Sequence, residues 1–146
     1  MAFRLLFRDL DKVDDGPNAD SPQLIEMRMP ETTTFTVAQH FADRPRTVRS
    51  TYSAIVKAAR KLGPVREEPK KTSIHLARKT AFAGVATRRA ALILTLKSAN
   101  DIASPRIRKR EQASPNRWHI EVELATPRDV DREVRGWLKR AYDLAG

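Results

Sequence analysis

At 146 residues, with 40% hydrophobic and 32% charged side chains, the chain has the size of one ordinary domain and a composition that excludes wholesale disorder. It contains no Cys, which excludes disulfide scaffolds, thiolate zinc sites and cysteine nucleophiles. Its 28 Lys and Arg against 18 Asp and Glu leave a formal charge of +10, so anionic partners are the first expectation.

That charge is unevenly distributed. Residues 1–35 hold Arg4, Arg8, Lys12 and Arg28 against Asp9, Asp11, Asp14, Asp15, Asp20, Glu26 and Glu31, a net −3 that leaves +13 on the rest. Asp15-Gly16-Pro17-Asn18 and Ser21-Pro22 are turn-forming. The expectation is an acidic, loosely structured arm over residues 1–35, with one short strand at Phe3–Phe7. The apolar start is too short and too interrupted for a signal sequence, and no segment approaches the ~20 apolar residues that cross a bilayer. A cytoplasmic protein without membrane association is expected.

From Thr36 to the end the pattern predicts one α+β domain, residues 36–146. Thr36 can cap a short helix through Phe41. Val48, Tyr52, Ile55, Val56, Ala59 and Leu62 then recur at helical spacing, and Gly63-Pro64 stops that helix. Period-two alternation follows in Ile74–Leu76, Phe82–Val85, Leu92–Leu96 and Trp118–Leu124. A strand near Arg106–Glu111 breaks what would otherwise be an implausibly long loop. Thr126-Pro127-Arg128-Asp129 resembles a capping box ahead of a closing helix with the stripe Val130, Val134, Trp137, Leu138 and Ala141. The fold expected is a single antiparallel sheet of about five strands with the N-terminal and C-terminal helices on one face. Ser73, His75, Ala77, Ala83, Val85, Ile93 and Thr95 are expected to share the other, exposed face.

Several of these residues carry a family resemblance. His40-Phe41-Ala42-Asp43, Val48-Arg49, Tyr52 and Leu62-Gly63-Pro64 resemble the opening of domain-of-unknown-function family 5655. Lys71-Thr72-Ser73-Ile74, Phe82-Ala83, Ser104-Pro105-Arg106, Val130-Asp131, Trp137-Leu138 and Ala141-Tyr142 continue it in order, over about residues 36–146. The resemblance implies the fold and a bacterial context, but no established activity. It includes relatives joined to nuclease-like modules and others with a cysteine zinc ribbon, which this Cys-free chain lacks.

Catalytic constellations are weak. A metal-dependent nuclease needs an Asp and an acidic-x-Lys on adjoining strands to hold Mg²⁺ and steady the attacking water. Glu68-Pro69-Lys70 has the spelling, and Glu121 and Glu123 offer further carboxylates, but Pro69 interrupts the strand and no strand-end Asp precedes it. His75 and His119 can share a sheet face, with Glu121 nearby, yet ordinary surface histidines are the more frequent case. No nucleophile elbow, P-loop or dinucleotide fingerprint is present. No catalytic residue, metal ligand or cofactor is therefore assigned, and a non-enzymatic protein is expected.

The basic groups are more informative. Lys70, Lys71, Arg78, Lys79, Arg88, Arg89, Arg106, Arg108, Lys109 and Arg110 fall on strand ends and turns, where they can neutralise phosphates. DNA or RNA is the partner class this predicts. The alternative is a homodimer, or another homo-oligomeric or small-ligand-binding domain, that uses the exposed sheet face.

Overall fold

A computed structural model describes residues 35–146; the expected acidic arm and the strand at Phe3–Phe7 lie outside the described residues, apart from Phe35. Short helix α1 (Val37–Phe41) carries a full capping box. The Gln39 backbone N–H donates to Thr36 Oγ1 at 3.2 Å, and the Thr36 N–H to Gln39 Oε1 at 2.9 Å. The longer α2 (Arg46–Arg60) starts two residues before the expected Val48, because Pro45 supplies the helical entry, and ends at Arg60 rather than Leu62. It buries Val48, Tyr52, Ile55, Val56 and Ala59, the apolar stripe read from the sequence.

Gly63 ends the turn after α2 with φ +152°, a conformation close to exclusive to glycine. A Cβ at this position would collide with the Tyr142 hydroxyl, which donates to the Pro64 carbonyl at 3.0 Å. Gly63→Ala is therefore expected to cost about 2–3 kcal/mol in backbone strain and displaced Tyr142. Urea denaturation of the two proteins measures it.

The sheet has six strands rather than five: β1 (Arg66–Pro69), β2 (Ile74–Ala77), β3 (Ala81–Thr87), β4 (Leu92–Ser98), β5 (Ile107–Ser114) and β6 (Arg117–Leu124). All pairs are antiparallel, in the order β1-β2-β3-β4-β6-β5. The extra strand is β1, whose Arg-Glu-Glu-Pro sequence has no apolar alternation. Pro69 does not interrupt it but forms its last residue, on a sheet edge where a missing N–H is tolerated. The strand expected near Arg106–Glu111 runs on to Ser114.

Register decides which side chains meet the helices. Ile74 opposes Val85, Val85 opposes Leu94, and Leu94 opposes Val122, so these four share one face. Leu76, Ala83, Leu96 and Ile120 form the next row of the same face. Ala83 and Val85 therefore belong to the helix-covered core, contrary to the expectation that grouped them with His75. Between β2 and β3 the pairing steps from Leu76–Ala83 to Ala77–Ala81, leaving Phe82 as the extra residue of a bulge. Phe82 turns toward the helices, is fully buried, and meets the Tyr142 ring edge-on at 5.3 Å.

The closing segment has two capped turns rather than one. Thr126 and Asp129 form the expected capping box, but it heads a single 3-10 turn, Pro127–Asp129. Helix α3 (Arg132–Leu144) is capped separately by Asp131, whose carboxylate accepts the Val134 N–H at 3.2 Å. Helices α2 and α3 pack on each other and both rest on β4. One continuous core joins their stripes to the sheet. The architecture is α+β, one antiparallel sheet with its two long helices on one face.

Candidate nucleic-acid interface

The ten basic residues singled out in the sequence separate into groups with different surroundings. Arg106 is a structural clamp. Its guanidinium donates to both Asp131 carboxylate oxygens at 2.9 Å, to Glu133 at 3.2 Å and to the Asp129 carbonyl at 2.9 Å. Burial disfavours its charge, yet the hydrogen bonds to Asp131 and Glu133 outweigh that and raise its pKa. Arg78 is spoken for as well: it donates to the Tyr142 carbonyl at 3.2 Å and lies 4.4 Å from the centre of the Tyr142 ring.

On edge strand β5, Arg108 pairs with Glu123 at 3.5 Å and Glu121 at 3.9 Å, while Arg110 pairs with Asp101 at 3.3 Å. Lys109 opposes Glu121 across the β5–β6 ladder. Lys79 sits at the end of the sheet where its N–H meets the Ala145 carbonyl of the chain's close. None of these six has the setting of a dedicated phosphate contact.

The other four converge. Lys70 and Lys71 occupy the turn between β1 and β2, closed by the Lys70 N–H to the Ser73 carbonyl at 2.7 Å. Arg88 and Arg89 occupy the turn between β3 and β4, closed by the Arg88 N–H to the Ala91 carbonyl at 2.7 Å. Because Pro69 aligns with Ile74 and Ile74 with Val85, the two turns leave the sheet at the same end. The connection from α1 to α2 lies against both. His40 Nε2 hydrogen-bonds the Lys70 carbonyl at 2.7 Å, and Arg44 Nε donates to Thr87 Oγ1 at 3.3 Å.

This end therefore gathers Arg44, Lys70, Lys71, Arg88 and Arg89 beside the start of α2. That helix has no side-chain cap and no acidic residue in its first turn, and Arg46 opens it. The positive end of its dipole adds to the field of the side chains. Lys71, Arg88, Arg89 and Arg46 are exposed, and Arg44 and Lys70 are half-buried. Arg44 and Arg46 are not among the ten basic residues singled out in the sequence.

A second feature escaped the sequence altogether. A groove of about 630 Å³ runs along α2, with Val37 and Val56 at its floor and Arg49, Lys57 and Lys61 around it. Within it, Tyr52 donates to Glu67 at 2.6 Å, and Arg60 pairs with the other Glu67 oxygen at 3.1 Å. Burial first, and then Glu67, pushes the Tyr52 hydroxyl pKa up. Glu67 went unremarked because β1 gives no periodic signal.

The residues weighed for catalysis do not converge. Glu68 is on β1 and Glu121 on β6, four strand spacings or about 19 Å apart. Glu68 pairs with Arg66 at 3.2 Å. His75 and His119 do share a face, but β3 and β4 stand between their strands, a separation of about 14 Å. Among the described residues there is no group of three or more His, Asp or Glu placed to hold a metal ion, and no helix long and apolar enough to cross a membrane.

A family model described as "Domain of unknown function (DUF5655)" matches residues 37–145. The chain belongs to this family. The match spans every helix and strand described above, so the basic end belongs to the DUF5655 domain itself. No curated protein and no solved structure matches the chain.

Proposed function

We propose that this DUF5655 domain is a non-enzymatic nucleic-acid-binding module that grips phosphates with one end of its sheet. The observation that carries the reading is the convergence of Lys70, Lys71, Arg88, Arg89 and Arg44 on the uncapped start of α2. Backbone N–H groups and clustered cations are what a phosphodiester requires, and no base-reading helix or aromatic platform accompanies them. The contact is therefore led by charge and shape rather than by sequence.

The rival reading uses the second sheet face as an oligomer interface or ligand groove. His75, Ile93 and Thr95 at its centre are each no more than 3% exposed, so that face offers little free surface.

Binding of labelled duplex DNA and RNA across a salt series tests the proposal. With four or five phosphates neutralised, log affinity should fall against log salt with a slope of about −4 on DNA. Replacing Lys70, Lys71, Arg88 and Arg89 together by Gln should weaken binding at least ~10-fold and flatten the slope by about three, with the melting temperature unchanged. Arg106→Ala should do the reverse, lowering the melting temperature and leaving affinity in place. Absence of binding at low salt overturns the proposal. Cleavage of the nucleic acid on adding Mg²⁺, lost in Glu68→Ala, overturns its non-enzymatic part.

A further inference from the structure

The groove along α2 is walled by three elements. Helix α2 supplies Arg49, Ser53, Lys57 and Lys61, α1 supplies Val37, and edge strand β1 supplies Glu67. The first three of the α2 residues and Lys61 just beyond the helix are each four positions apart, so they form one row with about 6 Å between steps. Ser53 is the small, exposed member of that row. A ligand can approach the helix closely there, with a cation one turn to either side. Val56 and the Tyr52 ring, both buried, give the groove an apolar floor.

The charges of the groove do not balance. Its lining holds four cations and one carboxylate, a net +3. Glu67 is already committed, because Tyr52 donates to one of its oxygens at 2.6 Å and Arg60 pairs with the other at 3.1 Å. Arg49 lies 5.5 Å from the centre of the Phe41 ring, a contact that leaves its charge uncompensated. Among the described residues no carboxylate pairs with Arg49, Lys57 or Lys61. A row of cations on a plain helix face is ordinarily solvated, but this one borders a cavity of about 630 Å³, the size of a small-molecule site.

We propose that the groove binds a small organic anion, a carboxylate, sulfonate or phosphate ester carried on an apolar body. The anionic group sits at Ser53 between Arg49 and Lys57 and accepts a hydrogen bond from the Ser53 hydroxyl. The body lies on Val56 and the Tyr52 ring, against Val37. Tyr52 supplies only surface, since its proton is given to Glu67, and the Glu67–Arg60 pair walls one side. The site is separate from the phosphate grip proposed above. Helix α2 is about 22 Å long, and Lys57 and Lys61 lie at the end away from Arg46. The basic end also lacks the apolar floor that selects an organic anion.

The probe for the test is 8-anilinonaphthalene-1-sulfonate, which joins one sulfonate to an aromatic body and brightens in apolar surroundings. The full chain should bind one equivalent saturably, with a Kd of about 10–100 μM, and the amide NMR signals of Val37, Ser53, Val56 and Glu67 should shift. Arg49→Gln with Lys57→Gln should weaken binding ~10-fold or more at an unchanged melting temperature. Ser53→Phe, which fills the groove from an exposed position, should abolish it. The neutral analogue N-phenyl-1-naphthylamine should bind ~10-fold more weakly than the sulfonate. Replacing Lys70, Lys71, Arg88 and Arg89 together by Gln should leave probe affinity in place, which separates this outcome from that of the proposed function. Binding of several equivalents overturns the proposal, as do NMR shifts only outside the groove, equal affinity for the neutral analogue, or unchanged affinity in the Arg49→Gln, Lys57→Gln protein. Displacement of the probe by duplex DNA or RNA overturns it too, by making the groove part of the nucleic-acid surface.

Discussion

Phe82→Ala is expected to cost about 3–5 kcal/mol of folding stability, the largest loss of any single truncation considered. The ring is fully buried, occupies the bulged position between β2 and β3, and contacts Tyr142 on α3 edge-on. Its removal leaves a cavity where sheet and closing helix meet. The bulge backbone, paired at Leu76–Ala83 and Ala77–Ala81, cannot slide to fill it without losing register. Phe82→Leu keeps most of the volume and should cost about 1–2 kcal/mol. The checking measurement is the urea midpoint of the three proteins at constant m-value. Equal midpoints for wild type and Phe82→Ala would show that the ring is not part of the load between sheet and helix.

Acid should destabilise the fold well before ordinary carboxylates titrate. Burial, and then Lys70 and Lys97, push the His75 pKa down to about 3 in the folded chain. The unfolded imidazole titrates near 6.5, so between these values the unfolded state binds the extra proton. The stabilisation is complete above pH 6.5 and is lost as the pH falls toward 3, at about 1.4 kcal/mol per unit. From pH 6.5 to pH 4.5 the loss is thus about 3 kcal/mol. Asp131 adds to it at lower pH: the Arg106 and Val134 hydrogen bonds outweigh desolvation and hold its pKa down, so its contribution also disappears in acid. His75→Gln can keep a hydrogen bond to Ser73 while removing the titration. It should flatten the stability-versus-pH curve by close to one proton between pH 4.5 and 6. An unchanged slope in that variant would assign the acid sensitivity to other groups.

Much of the fold was legible because the apolar contrast is strong where the core is. The stripe of α2 and the alternation in β2, β4 and β6 each place large aliphatics against polar neighbours, so the face that each side chain takes could be read from them. The reading lost parity in β3. Ala83, Gly84, Val85 and Ala86 offer almost no contrast between faces, and the extra residue at Phe82 shifts the phase by one. β1 was invisible for a different reason. A charged edge strand buries little, so its pairing with β2 comes from the backbone ladder and from Glu67 reaching Tyr52 and Arg60.

The basic residues show what a one-dimensional pattern cannot carry. Arg106 and Arg88 look alike in the sequence, each near a turn and next to other cations. Only the chain's return through Asp129, Asp131 and Glu133 converts the first into a clamp. Conversely, Lys70-Lys71 and Arg88-Arg89 are 17 positions or more apart and become neighbours through the alignment of Ile74 with Val85. Convergence of this kind is a property of register, which no local motif encodes.

The strand order has a kinetic consequence. β6 lies between β4 and β5, so the chain leaves β4, passes its future neighbour's place, forms the outer strand and then returns inward. A sheet cannot readily open a completed seam to admit a strand. The economical route is for β5 and β6, joined by Pro115-Asn116, to zip as a local hairpin and then dock as a unit on Leu92–Ser98. Arg106, at the entrance of that hairpin, reaches Asp131 only after docking brings the start of α3 beside it. The clamp thus latches a finished sheet rather than nucleating it, and its energy is felt chiefly in the rate at which the native protein opens.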